Sequence, residues 1–271
     1  MSFSNLSPGF YPGKGSVAGI LAVVAVAPWA FVGFDTIPQA AEEFQFSAKK
    51  TKFIMILSIL FGAAVYVILN TVTAAVVPEG YASWVEYIDD MPNLSGLLSL
   101  PTFHAGYQLL GTAGVVFLGI AVLGAILSGI IGFYMATSRL LYSMAKESVI
   151  PGWFGELHER YKTPAHAILF VLVIALIAPF FGRTALGWIV DMSSIGAAIG
   201  YGYTSLAAFK FAKKEKNTGI IGSIMALLFI VLLLVPIPMF NCSLGKESYI
   251  CLIVWIVMGV VFYFTAKTRR R

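Results

Sequence analysis

The sequence predicts an all-α integral membrane protein with seven transmembrane helices. Of its 271 residues, 59% are hydrophobic and only 11% are charged, whereas a soluble domain carries about 25% charged residues. The apolar residues gather in long runs, and a helix needs about 20 of them to cross the hydrocarbon core of a bilayer. Barrel strands are shorter than these runs, and lipid requires each spanning segment to pair its own backbone polar groups, so helices are expected.

The predicted spans follow one another along the whole chain, which we interpret as one transmembrane domain over residues 1–271. In chain order they are 16–44, 53–77, 109–135, 165–181, 184–209, 219–240 and 249–266. The first follows a loop rich in proline and glycine, and the second follows a lysine cluster. The third comes after a long polar loop over 78–108. The fourth and the last are short, and both are kept because polar residues flank them.

Basic residues predict the orientation of these spans. Fifteen of the 18 lysines and arginines fall in four regions that an alternating topology places on one side, namely 49–52, 139–162, 210–216 and 267–271. The long loop on the other side contains Glu79, Glu86, Asp89 and Asp90 but no lysine or arginine. Because inner loops of membrane proteins are enriched in lysine and arginine, we expect the N-terminus outside and the C-terminus inside.

Composition argues against several other classes of protein. The net charge of +5 comes from short clusters between apolar runs and not from a basic patch interleaved with aromatics, so no nucleic-acid partner is expected. The spans carry almost no ionisable residues beyond Asp35 and Asp191, too few for a membrane enzyme. The last span lacks the lysine of a retinal protein. Histidines and cysteines lie too far apart to predict a metal site or a cofactor.

The first span contains the most informative stretch, residues 29–43. Its apolar helix meets Gly33, then the acid Asp35, then Pro38. Glycine relaxes the backbone and proline removes a donor, so the helix is expected to be interrupted here. Such breaks in the membrane occur where protein or a wet cavity pairs the freed groups, and an acid at that depth indicates a functional site. The alternative is a kinked helix with Asp35 at the inner interface.

Serines within other spans are weaker candidates. Ser128 in the third span is expected either to face the substrate path or to bond back to its own helix. Ser193 and Ser194 lie in the fifth span, close to Gly196. They are expected either to line the path of a solute or to serve close helix packing through their small size.

Two strings resemble the amino acid–polyamine–organocation (APC) transporter superfamily. Residues 31–44, FVGFDTIPQAAEEF, are similar to the family's sixth-helix signature. Residues 138–145, SRLLYSMA, followed by Pro151 and the pair Thr163-Pro164, are similar to its eighth helix and inner loop. The resemblance covers nearly the whole chain and corresponds to helices six to twelve.

The resemblance implies an incomplete leucine-transporter-like fold. In that fold, breaks in the first and sixth helices hold the substrate near the membrane midplane. Helices one to five are absent here, so the chain carries half of the binding site. By resemblance, Trp29 covers bound substrate, while Phe31, Val32, Gly33 and Phe34 form the unwound segment that meets its amino end.

Further roles also follow from the resemblance alone. Asp35 matches an acidic position used in proton-dependent gating by some members. Glu42 and Glu43 match the inner end of the sixth helix, where an ion pair closes the inner side. Ser193 and Ser194 match the tenth helix, which lines the substrate path.

The expected function is secondary active transport of an amino acid or related amine across the plasma membrane, by symport or exchange. Protons are the expected coupling ion, since a low-polarity site favours a neutral carboxyl, and sodium stays open. The chain is not expected to be an enzyme. Two alternatives remain: a truncated permease inactive by itself, or one half of a split permease whose partner chain supplies five helices. A receptor-like seven-span protein is the least favoured.

Overall fold

The structure, a computed structural model, describes residues 3–9, 16–39, 45–182, 184–212, 216–236 and 243–268. Among them there are helices and turns but no strand. The α-helices are α1 (Ser16–Phe31), α2 (Thr36–Gln39), α3 (Ala48–Ala75), α4 (Trp84–Asp90), α5 (Pro101–Lys146), α6 (Ala165–Ile177), α7 (Thr184–Phe211), α8 (Lys216–Leu234) and α9 (Lys246–Thr268).

The predicted spans coincide with helices, but not all of these helices are equally suited to lipid. Within the described residues, four are long and apolar enough to cross a membrane, namely Lys49–Ala75, Pro101–Lys146, Lys216–Leu234 and Lys246–Ala266, and Ala165–Phe181 is a shorter apolar helix. α7 has the length, at 28 residues, but a row of serine, glycine and tyrosine makes it less apolar. An all-helical membrane protein is therefore confirmed, while the number seven stays a prediction.

The chain divides into two compact units. The first comprises Met1–Gly19 and Phe44–Gly132, and the second comprises Ile20–Glu43 and Phe133–Arg271. α3, α4 and the first part of α5 belong to the first unit. Most of α1, together with α2 and α6 to α9, belongs to the second, which therefore contains the interruption in the first span.

The boundaries of the third span were predicted incorrectly. α5 begins at Pro101 and continues to Lys146, well beyond the predicted end at residue 135. It is bent at Gly111, whose φ of 60° and ψ of −146° are not helical. The chain folds back so sharply that a Cβ added to Gly114 would collide with the carbonyl oxygen of Gly106. Glycine is required at such a bend because it alone adopts this backbone without strain.

The long polar loop over 78–108 is also more ordered than expected. Ser83 caps α4 by accepting a hydrogen bond from the Glu86 amide at 3.3 Å, and the Glu86 carboxylate accepts one from the Ala82 amide at 2.8 Å. This reciprocal arrangement resembles a capping box, which starts a helix in an otherwise polar segment. Tyr87 is 2% exposed, and its hydroxyl donates to the carbonyl of Leu98 at 2.7 Å. The segment before α5, residues 78–100, is therefore held by packing and hydrogen bonds, and we call it the packed cap.

Small residues bring α7 and α8 together in the second unit. A Cβ on Gly219 would lie 2.6 Å from the Phe209 amide nitrogen and 2.8 Å from the Ser205 carbonyl oxygen. On the next turn, a Cβ on Gly222 would collide with the Ser205 hydroxyl. Small residues allow two helix backbones to approach closely, which is the main source of attraction between helices in lipid.

α9 is tied to the same pair by hydrogen bonds. The Ser248 hydroxyl donates to Oδ2 of Asp191 at 2.6 Å, and the Tyr249 hydroxyl donates to the Leu234 carbonyl at 2.7 Å. Ser248 is fully buried. Asp191 is thus paired with the first turn of α9 and serves to join α7 to it.

An aromatic cluster lies just after α5, and Leu141, Met144 and Ala145 of the second signature pack against it. Phe154 is fully buried and packs on Ala145, Ile150 and Ala167. Its ring stacks on Trp153 at a centroid distance of 3.8 Å and also contacts Phe170 and Phe262. The signature therefore serves packing between the end of α5, α6 and α9.

Tyr81 and Asp90 provide a test of the packed cap. The Tyr81 hydroxyl donates to Oδ2 of Asp90 at 2.5 Å. This bond raises the pKa of Tyr81 from 10.0 to about 12 and lowers the pKa of Asp90 below 3.8. Asp90→Asn should return the pKa of Tyr81 toward 10.0, because the phenolate no longer faces a carboxylate. Near-ultraviolet absorbance titration, taken as the difference from Tyr81→Phe, measures it.

The control for this titration is Asp89→Asn, which removes the same charge one residue away. Equal shifts in both variants would contradict a specific bond.

The same bond makes the stability of the protein depend on pH. Asp90 contributes stability above about pH 4 that is lost as the pH falls. Tyr81 contributes stability below about pH 10 that is lost as the pH rises through its higher folded-state pKa.

Candidate functional site

The predicted interruption in the first span is present. α1 ends at Phe31, residues 32–35 form a turn, and α2 begins at Thr36. Gly33 has a φ of 132°, a backbone conformation open essentially to glycine alone. Pro38 was expected to contribute to the break, but it does not. It lies in the first turn of α2, where its missing amide proton costs nothing.

Hydrogen bonds within the turn pair most of the backbone groups that the break releases. The Gly33 amide donates to Oδ1 of Asp35 at 2.9 Å. The Gly33 carbonyl accepts from the Thr36 hydroxyl at 2.6 Å and from the Thr36 amide at 3.1 Å. The Phe34 carbonyl accepts from the Ile37 amide at 3.3 Å. None of these bonds involves the Val32 carbonyl.

This pairing corrects the simple picture of a row of free carbonyls. Asp35 is half-buried and holds the turn in shape through the Gly33 amide, so the acid is part of the backbone structure. One carboxylate oxygen and the Val32 carbonyl are the acceptors best able to meet a cationic group, since a carboxylate offers about four lone-pair sites.

An apolar cavity of about 350 Å³ lies beside the turn, between α1, α7 and α8. Its walls include Phe31 and Phe34 from the predicted site, Tyr201 from α7, and Met225 and Phe229 from α8. The rings of Phe34 and Tyr201 lie 5.6 Å apart. An apolar cavity with a few polar groups at its edge is the usual form of a small-molecule site.

The structure brings only part of the predicted site together. Trp29 is 44% exposed and is not among the residues that line the cavity. Ser194 is fully buried and donates to the Val190 carbonyl of its own helix at 2.8 Å, and Ser193 is half-buried. Ser128 belongs to the other unit, where its side chain is exposed. Glu42 and Glu43 lie outside the described residues.

Sequence reasoning missed Tyr201 and Ser205. Ser194, Ala198, Tyr201 and Ser205 follow one another at helical spacing on α7, and the last three line the cavity. Residues at this spacing share one face of a helix. The polar face that begins at Ser194 was therefore the signal that could have found them.

The fold and the interrupted helix together define a multi-pass helical membrane protein. Comparison with known proteins identifies the group. The chain belongs to the amino acid permease family, whose sequence profile matches residues 2–263. No solved structure matches the chain.

Curated relatives are transporters and not enzymes, as predicted. The chain is 26% identical over 255 residues to the branched-chain amino acid permease BcaP of Bacillus subtilis, covering 91% of this chain and 50% of that protein. It is 24% identical over 250 residues to the methylthioribose transporter of the same species, with coverages of 91% and 50%. It is 21% identical over 256 residues to the low-affinity putrescine importer PlaP of Escherichia coli, with coverages of 93% and 53%. The chain thus spans about half the length of the curated relatives it matches.

Gly33 offers a direct test of the turn. Gly33→Ala should destabilise the protein by about 1–3 kcal/mol, because alanine is strained at this φ, even though the nearest atom to an added Cβ is 3.9 Å away on Phe133. Thermal unfolding of the purified chain in detergent measures the loss.

The matched control is Gly62→Ala in α3, where an added Cβ meets nothing within 4 Å. Alanine there should be neutral or stabilising because it is the better helix former. Equal behaviour of the two variants would show that the Gly33 backbone is not strained by a side chain.

Proposed function

We propose that the chain forms part of a secondary active transporter for amino acids or related amines in the plasma membrane. The observation that carries the proposal is the interruption at 32–35, where Phe34 in the turn and Phe31 just before it line an apolar cavity. Membership of the amino acid permease family supports it, as does the resemblance of both signatures to the APC superfamily.

The proposal extends to the fold. We assign the chain to helices six to twelve of a leucine-transporter-like fold, with seven spans, the N-terminus outside and the C-terminus inside. The distribution of lysine and arginine supports this orientation. A complete site requires the first five helices of that fold, and a separate chain is one source for them. Glu42 and Glu43 at the inner end of the sixth helix are proposed to close the inner side.

The chemistry of the site favours a substrate with a cationic amino group. An ammonium that reaches the turn finds the Asp35 carboxylate and the Val32 carbonyl, and its apolar part finds Phe31 and Phe34. Trp29 is proposed to cover the substrate after a change of rotamer or helix position. Branched-chain amino acids and putrescine, for which two of the relatives are named, both carry such a group, whereas methylthioribose does not.

Asp35 is proposed to couple transport to protons. Protonation removes the charge that attracts an ammonium and weakens the acceptor of the Gly33 amide, so it changes the affinity and the shape of the turn together. Sodium is the second candidate ion, and Ser128, Ser193 and Ser194 are the hydroxyls proposed to line the path beyond the turn.

Uptake by cells that produce the chain tests the proposal. Asp35→Asn should lower uptake of labelled leucine or putrescine about tenfold or more, because a hydrogen bond to a charged group contributes about 1.5–3 kcal/mol. The remaining uptake should lose its dependence on external pH. Glu79→Gln, which removes one charge at an exposed position of the cap, is the control and should transport normally. Unchanged rate and pH dependence in Asp35→Asn would contradict the role of Asp35.

The same assay separates the complete from the split form. Robust uptake by this chain alone would contradict the need for a separate chain. Uptake that appears only when a five-helix chain is produced with it would support a split permease.

A further inference from the structure

Tyr201 is the one residue of the cavity wall whose polar atom is buried without a partner. Its hydroxyl has no hydrogen bond among the described residues and is closed off from solvent. Burying a hydroxyl without a partner is costly. The ring itself is well placed, since it packs on Phe34 and lines the cavity. The position of the hydroxyl therefore calls for an acceptor.

The Asp35 carboxylate is the acceptor within reach. Asp35 directly follows Phe34, whose ring packs on Tyr201 at 5.6 Å, so its carboxylate lies close to the Tyr201 hydroxyl, although the pair does not meet hydrogen-bond geometry. Oδ1 of Asp35 is engaged with the Gly33 amide, and the carboxylate has further lone pairs. A small rotation of either side chain would complete the bond.

No other ionisable group in the described parts of the adjoining helices competes for this position. Asp35 is the one charged residue in 16–39. On α7, Asp191 is bonded to Ser248, Lys210 lies over the Phe211 ring, and Tyr203 is 73% exposed. The cavity wall on α8 is made of glycine, alanine, methionine and phenylalanine.

We propose that Tyr201 is a positioning residue that donates a hydrogen bond to the Asp35 carboxylate and so ties the turn at 32–35 to α7. The carboxylate accepts this bond through lone pairs that the Gly33 amide leaves free, and an ammonium bound to Asp35 competes with it. Occupancy of the turn is thereby communicated to α7. The last step rests on the proposed transport function, whereas the bond itself does not.

A double-mutant cycle on the purified full chain tests the bond. Tyr201→Phe keeps the ring and removes one oxygen, and Asp35→Asn removes the charged acceptor. The losses in melting temperature should be non-additive, with Tyr201→Phe costing little once Asp35 is changed, because the two residues act as a pair. Tyr203→Phe on the same helix is the control and should add to Asp35→Asn without coupling.

Infrared spectroscopy supplies a readout that packing alone would not move. The Asp35 carboxylate band, identified by its loss in Asp35→Asn, should shift in Tyr201→Phe and stay in place in Tyr203→Phe. If Asp35→Asn does not fold, Asp35→Glu identifies the band by displacing it. Additive losses or an unshifted band would overturn the proposal. Neither readout requires transport, so a chain that fails to transport still tests the bond, and a chain that transports without the bond refutes this inference alone.

Discussion

Hydrogen bonding of the backbone in a medium without water is the constraint on which the structure depends. A continuous helix pairs all of its backbone groups within one segment, whereas the break at 32–35 leaves some of them without helical partners. Gly33 supplies the unusual backbone angle, Asp35 accepts from its amide, and Thr36 donates twice to its carbonyl. The turn therefore pairs most of its own backbone groups, which reduces its need for partners from neighbouring helices.

The hydrogen bonds within the turn also limit the number of backbone groups that a solute could bind. If every released group were paired, the break would be only a kink. Some polar groups are not used in these bonds, namely the Val32 carbonyl, the second oxygen of Asp35 and the hydroxyl of Tyr201, which lines an apolar cavity. These groups can form hydrogen bonds with one another or with a solute, so the turn can exchange hydrogen-bond partners at modest cost.

The sequence was sufficient for features set by local chemistry and insufficient for those set by packing. Apolar runs located the helices, and the order of Gly33 and Asp35 located the break. Pro38 was expected to contribute to the break together with Gly33, but it lies in α2, because proline is tolerated in the first turn of a helix. The bend at Gly111 escaped notice because a glycine within an apolar run has the same appearance whether the helix is straight or folded back. Ser194 and Tyr201 show a further limit: their hydroxyls are equally plausible in sequence, and only three-dimensional placement shows that one bonds to its own helix while the other has no partner.

The bend in α5 has a mechanical consequence. The 35 residues from Thr112 to Lys146 form one uninterrupted rod with a length of about 50 Å, well beyond the roughly 30 Å of hydrocarbon that it has to cross. Its last turn packs in the aromatic cluster around Phe154. A helix longer than the hydrocarbon core has to tilt, kink or extend beyond it, so the length of this segment limits how it can lie in a bilayer.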